Sequence, residues 1–167
     1  MSTYRWNDDW LIAHCGSMEG DPDLWPYSEQ FEELAGLYRE ETGHGASDRA
    51  IWRRCVKLRK DRYRTEDPEK RMPRFTKGDP APSSFREREL VVLRQLYDGQ
   101  SYPLERLGYM KDFDELCAAF LKRIGRGADD CSKGEVWRAL VTERKGGRLQ
   151  NKVKVSKQQF YGEGFGL

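Results

Sequence analysis

An internal repeat constrains the fold of this chain more than any other feature of its sequence. Residues 47–60, "SDRAIWRRCVKLRK", return as residues 132–145, "SKGEVWRALVTERK". Upstream, "FEELAGLYREETGHGA" (31–46) aligns without a gap to "FDELCAAFLKRIGRGA" (113–128), and three extra residues, 129–131, precede the second serine. Twelve of the thirty aligned positions are identical, which points to one supersecondary unit written twice. At 167 residues, 37% of them hydrophobic and 12% aromatic, the chain can give each copy a small core.

Both copies follow the pattern of a helix, a tight turn and a second helix. Phe31, Leu34, Ala35 and Tyr38 recur at steps of three and four, which places them on one helical face, and Phe113, Leu116, Cys117 and Phe120 repeat that face. Gly43 and Gly125 then supply the left-handed residue that ends a helix, while Ser47 and Ser132 can cap the next one. A further helix precedes each pair. "NDDWLIAHC" opens at Asn7, and "SSFRERELVVLRQLYDG" opens at Ser84 and closes before Gly99. In the loops that follow, the steps Trp25-Pro26 and Tyr102-Pro103 are expected to pin the chain to the core.

The predicted architecture is all-α, with two tandem three-helix helix-turn-helix repeats at residues 1–64 and 84–150. A linker rich in proline and charge covers 65–83. Residues 151–167 admit two readings: a short β-wing, suggested by the alternation in "NKVKV", or a basic tail.

Net charge is only +2, but this sum conceals a cancellation. Residues 1–48 carry nine net negative charges, 49–78 eight positive, 79–132 two negative and 133–157 six positive. At 100° per residue, Ile51, Trp52, Cys55 and Leu58 gather on one side of the first third helix. Arg49, Arg53, Lys57, Lys60 and Arg64 fall within about 80° of one another on the other side. The same construction in the second copy puts Val136, Trp137 and Leu140 inside and Gly134, Arg138, Thr142 and Lys145 outside, with Lys133, Arg148, Lys152 and Lys154 around the edge. One basic stripe is commonly just solvated surface. Two at homologous positions match the footprint that neutralises phosphates, on an element that fits a major groove.

Taken together, the acidic first helix, "FEELA" on the second and "S...IWRR..KLRK" on the third resemble the Myb/SANT class of homeodomain-like helix-turn-helix domains, in tandem, over residues 5–64 and 84–148. The loop between the first two helices is longer than that class typically has, and Trp25 stands off its usual aromatic spacing. The resemblance implies that Trp6, Trp52, Phe85 and Trp137 are core aromatics and that each third helix reads DNA. It marks Arg49, Arg53, Arg54, Lys57 and Lys60 in the first copy, and Lys133, Arg138, Thr142 and Lys145 in the second. The function it implies is monomeric recognition of double-stranded DNA, as in a transcriptional regulator. The rivals are a protein-interaction module that meets a basic partner through the acidic "EQFEELAGLYREE", and a packaging or recombination accessory factor.

Nothing in the sequence assembles a catalytic or cofactor site, so the expectation is a non-enzyme with no metal and no cofactor. His14 and His44 are the only histidines and belong to no triad or zinc motif. No phosphate-binding glycine motif precedes a helix. Glu143-Arg144-Lys145 has the ExK spacing of metal-dependent nucleases but falls within a predicted helix instead of on a strand. Asp8-Asp9 and Asp129-Asp130 read as charges at helix starts. Cys15, Cys55, Cys117 and Cys131 form no CxxC pair, which suits a reducing intracellular compartment, and no apolar run approaches membrane-spanning length.

Overall fold

The computed structural model describes residues 5–15, 18, 21–63 and 85–149. The chain divides into two compact units, Met1–Asp79 and Pro80–Leu167. Among the described residues the structure is mostly helical and contains no strand. The linker at 65–83, Ser84, Arg64, Lys152, Lys154 and the wing or tail at 151–167 lie outside the described residues.

The first unit contains α1 (Asp8–Cys15), a 3-10 turn (Pro22–Leu24), α2 (Glu29–Thr42) and α3 (Asp48–Tyr63). Asn7 starts α1, its side-chain oxygen accepting from the Trp10 N–H at 3.1 Å. Ser28 caps α2 by accepting from the Phe31 N–H, and Gly43, at φ 71°, ends that helix. Ser47 accepts from the Ala50 N–H at 3.2 Å and so caps α3. Each helix packs on the other two. They bury Leu11 and Cys15 from α1, Phe31, Leu34, Ala35 and Tyr38 from α2, and Ile51, Trp52, Cys55 and Leu58 from α3.

The second unit contains α4 (Glu87–Asp98), α5 (Leu104–Leu107), α6 (Lys111–Ile124) and α7 (Lys133–Lys145). α4, α6 and α7 pack on one another around Leu93, Tyr97, Phe113, Leu116, Phe120, Val136, Trp137 and Leu140. Gly125, at φ 75°, ends α6, and Ser132 caps α7 through the Glu135 N–H. α4 begins after Arg86, whose N–H donates to the Glu89 carboxylate at 2.9 Å.

Positions 82 apart behave alike well beyond the stretch in which the sequence repeat is obvious. The 3-10 turn starting at Pro22 is matched by α5 starting at Leu104, and Trp25 and Leu107 are both buried. Among the described residues, Tyr27 and Tyr109 are the two non-glycine residues with positive φ, at 67° and 63°, and each leads into the start of the following helix. Three residues off that register, Trp6 stacks on Tyr38 and His44, just as Phe85 meets Phe120 edge-on and lies under the Arg126 guanidinium. In both units an aromatic ahead of the first helix is closed in by a ring from the second helix and a planar group from the turn.

Two positions depart from the expected placement. Gly134, expected outside, is buried, and Ala139, Val141 and Glu143 are buried with it. α7 lies against both α4 and α6, so it covers a wider arc than the three apolar positions that define its stripe. Trp6, expected in the core, is half-buried at the edge of its cluster.

Because only glycine takes the left-handed conformation at little cost, Gly43→Ala and Gly125→Ala are each expected to destabilise their own unit by about 1 kcal/mol. Urea unfolding followed by far-UV circular dichroism measures both values, and no loss at either position would contradict the cap geometry.

Candidate nucleic-acid interface

α3 carries the basic ridge, and its neighbours fix its position residue by residue. Arg39, from α2, donates to Asp48 at 2.8 Å and to the Ala46 carbonyl at 3.1 Å, bracing the turn that leads into the helix. The Trp52 indole N–H donates to the Pro22 carbonyl at 2.9 Å, so the buried tryptophan both fills the core and holds the 3-10 turn. Arg54 reaches Asp8 through two hydrogen bonds of 2.6 and 2.9 Å and lies over the Trp6 ring. Arg59 bonds Asp21 and, at 3.5 Å, Asp23.

These contacts sort the arginines of α3 into two groups. Arg54 and Arg59 are committed to carboxylates at the start of α1 and beside the 3-10 turn, and the bond to Asp8 raises the Arg54 pKa despite the burial that opposes it. Arg53, Lys57 and Lys60 are exposed on the side away from the core, and Arg49 is half-buried near the helix start. The structure therefore groups four of the expected residues and takes Arg54 out of the set. No sequence period could reveal the Arg54 pairing, since its partner lies 46 residues away.

The corresponding surface of α7 is thinner. Arg138 and Lys145 are exposed, Thr142 is half-buried, and the Arg138 Nε donates back to the Gly134 carbonyl at 3.3 Å. Lys133 bonds Asp114 at 2.7 Å, Arg144 bonds Glu105 at 2.8 Å, and Arg148 bonds Glu143.

Glu143 is the residue whose role the sequence concealed. Its side chain is 3% exposed and accepts from Arg94 at 3.4 Å as well as from Arg148. Arg94 also bonds Glu87 at 2.7 Å, and this bond is the main reason its pKa is raised. The position aligns with Leu58 of the first unit, so a carboxylate stands where the repeat demands a core residue. Gly146 makes room for the arrangement: a Cβ there would come within 2.5 Å of the Arg148 guanidinium. Glu89 is a second buried carboxylate, satisfied by the Arg86 N–H and by Arg126 at 3.1 Å.

Among the described residues, no cluster of three or more His, Cys, Asp or Glu is placed to hold a metal ion, and no helix is long and apolar enough to cross a membrane. Comparison with protein-family models, curated proteins and solved structures finds no match to the chain.

A buried carboxylate that holds two guanidiniums is costly to remove. Glu143→Gln is expected to destabilise the second unit by about 2 kcal/mol. Asp8→Asn, which breaks a more exposed pair, should cost the first unit about 1 kcal/mol or less. Chemical denaturation of both variants tests this order, and an Asp8→Asn loss larger than that of Glu143→Gln would reverse it.

Proposed function

We propose that the chain binds double-stranded DNA as a monomer. α3 supplies the main contact and α7 a weaker second one, in the manner of tandem helix-turn-helix domains resembling the Myb/SANT class, and the function served is transcriptional regulation. The observation that carries this reading is the composition of the outward side of α3. Arg53, Lys57 and Lys60 are exposed there beside Arg49, opposite the buried Ile51, Trp52, Cys55 and Leu58.

A helix of sixteen residues is about 24 Å long, and its diameter with side chains, about 10–12 Å, fits the width of a major groove. Spacings of three and four along it present the cations as a line that can follow phosphates, and Arg53 can address a guanine edge through two hydrogen bonds. The matched conformations at positions 82 apart support the tandem arrangement, since a duplicated scaffold offers a second outward third helix in Arg138 and Lys145. Two linked sites make the second contact intramolecular, which raises its effective concentration without dimerisation.

A protein-interaction module is the second reading, and α2 favours it. Glu29, Glu32, Glu33 and Glu40 are exposed there, with Leu37 39% exposed among them, a surface suited to a basic partner.

Titration of a fluorescent random duplex across a salt series separates these readings. With four cations of α3 on phosphates, log K should fall with log salt at a slope of about −4. Arg53→Ala and Lys57→Ala should each lower the slope by about 1 while the far-UV dichroism shows the protein still folded, and Arg138→Ala should have the smaller effect on affinity. A flat salt response would overturn the DNA reading, and a sedimenting dimer on a single site would overturn the monomeric one.

A further inference from the structure

DNA contact by α3 makes no use of the two cysteines in the first unit. Cys15 is the last residue of α1 and Cys55 lies midway along α3, and their sulfurs are 3.7 Å apart. Both residues are fully buried and both thiols are free. A buried cysteine is ordinarily a small hydrophobe. Here the repeat shows that hydrocarbon meets the packing demand at Cys55, because the aligned residue, Leu140, is also fully buried. What leucine cannot provide is a second sulfur in contact with the first.

We propose that Cys15 and Cys55 form a dithiol modification site that closes to an intramolecular disulfide when the protein meets a peroxide or a small-molecule disulfide, tying α1 to α3. With hydrogen peroxide, one thiolate attacks a peroxide oxygen. The O–O bond breaks to leave a sulfenic acid on sulfur and release the first water. The second thiol then attacks that sulfur, the S–O bond breaks, and a second water departs with the remaining proton. Two thiols lose two electrons and two protons, and the peroxide is reduced to two waters. With a small-molecule disulfide, one cysteine thiolate attacks a sulfur and its S–S bond breaks to release one thiol; the second cysteine then displaces the other thiol from the mixed disulfide, so one disulfide is exchanged for another.

The sulfurs must approach from 3.7 Å to about 2.05 Å, a step that side-chain rotation and a slight shift of one helix end can supply. Cys15 is well placed to make that shift. α1 has only eight residues, and helix termini open more readily than helix centres. The same opening admits the oxidant. In the closed state, the contact with Cys15 and burial hold the Cys55 thiol well above its ordinary pKa, so the reaction runs through the frayed state. Cys117 and Cys131 belong to the other unit, and burial pushes both up to about 12, so like Cys55 they are held as thiols and their oxidation would report a reaction not selective for the proposed pair.

The test treats the full chain with hydrogen peroxide and, separately, with oxidised glutathione, alkylates the remaining thiols, digests without reductant and maps the peptides by mass spectrometry. The expected result is a peptide linking Cys15 to Cys55, with Cys117 and Cys131 still alkylated and far-UV dichroism unchanged. The first unit should melt at least about 5 °C higher, because the link closes a loop of some forty residues, and dithiothreitol should reverse the shift. Any of three outcomes would overturn the proposal: four alkylated cysteines after treatment, a link that forms only in denaturant, or a linked species that has lost its helical signal. Mapping the unaltered protein keeps the test valid even if Cys15→Ser or Cys55→Ser fails to fold.

Discussion

Burial of a tryptophan at the same point of α3 and α7 is the constraint on which the remaining geometry depends. Trp52 and Trp137 are 2% and 1% exposed. A side chain of that size cannot enter the core without fixing the rotation of its helix, and a fixed rotation decides which positions face out. In the first unit the indole N–H also finds the Pro22 carbonyl, so the tryptophan holds the loop between α1 and α2 as well as the helix that bears it. In the second, the ring meets Phe113 edge-on at 5.4 Å, which joins α7 to the start of α6. The outward side of each helix follows from that rotation.

Carboxylates then determine which cations remain outward. Asp8 takes Arg54, Asp21 and Asp23 take Arg59, Glu105 takes Arg144, and Glu143 holds Arg94 and Arg148. Part of the small net charge is thus resolved in space: Asp8, Asp21, Asp23 and Glu105 meet arginines of α3 and α7, while Glu143 reverses the order by holding Arg94 of α4. Such partly buried pairs contribute little net stability once desolvation is counted, but breaking one leaves a charge without its partner, so they specify register more than they add strength.

Local patterns made much of the fold legible. The shared faces of α2 and α6 follow from apolar residues at three- and four-residue spacing, and the caps at Ser47 and Ser132 and the left-handed glycines at 43 and 125 follow from short-range chemistry. What remained hidden depends on contacts distant in sequence. α5 has four residues, too few to show a period, and its match to the turn at Pro22 emerges only when backbone conformations are compared. Arg54 reads as part of a basic run until Asp8 claims it. Gly134 falls outside by helical angle alone, yet is buried because α7 packs against both α4 and α6. Glu143 was the most recoverable of these, since aligning it with Leu58 shows a carboxylate on an apolar stripe, and that pattern by itself demands a buried cation.

Glu143 also shows how the two copies have diverged. Exchanging a core leucine for a carboxylate requires guanidiniums in return, and the second unit supplies Arg94 from α4 and Arg148 from beyond α7. Arg94 approaches from α4 and Arg148 remains exposed while it bonds the carboxylate, so the buried charge is balanced by two other segments of the unit. The first unit keeps Leu58 at that point. The thinner basic surface of α7 has a separate source: Gly134 and Thr142 stand where the first copy has Arg49 and Lys57, so the charge differs at the aligned outward positions themselves and not through the core.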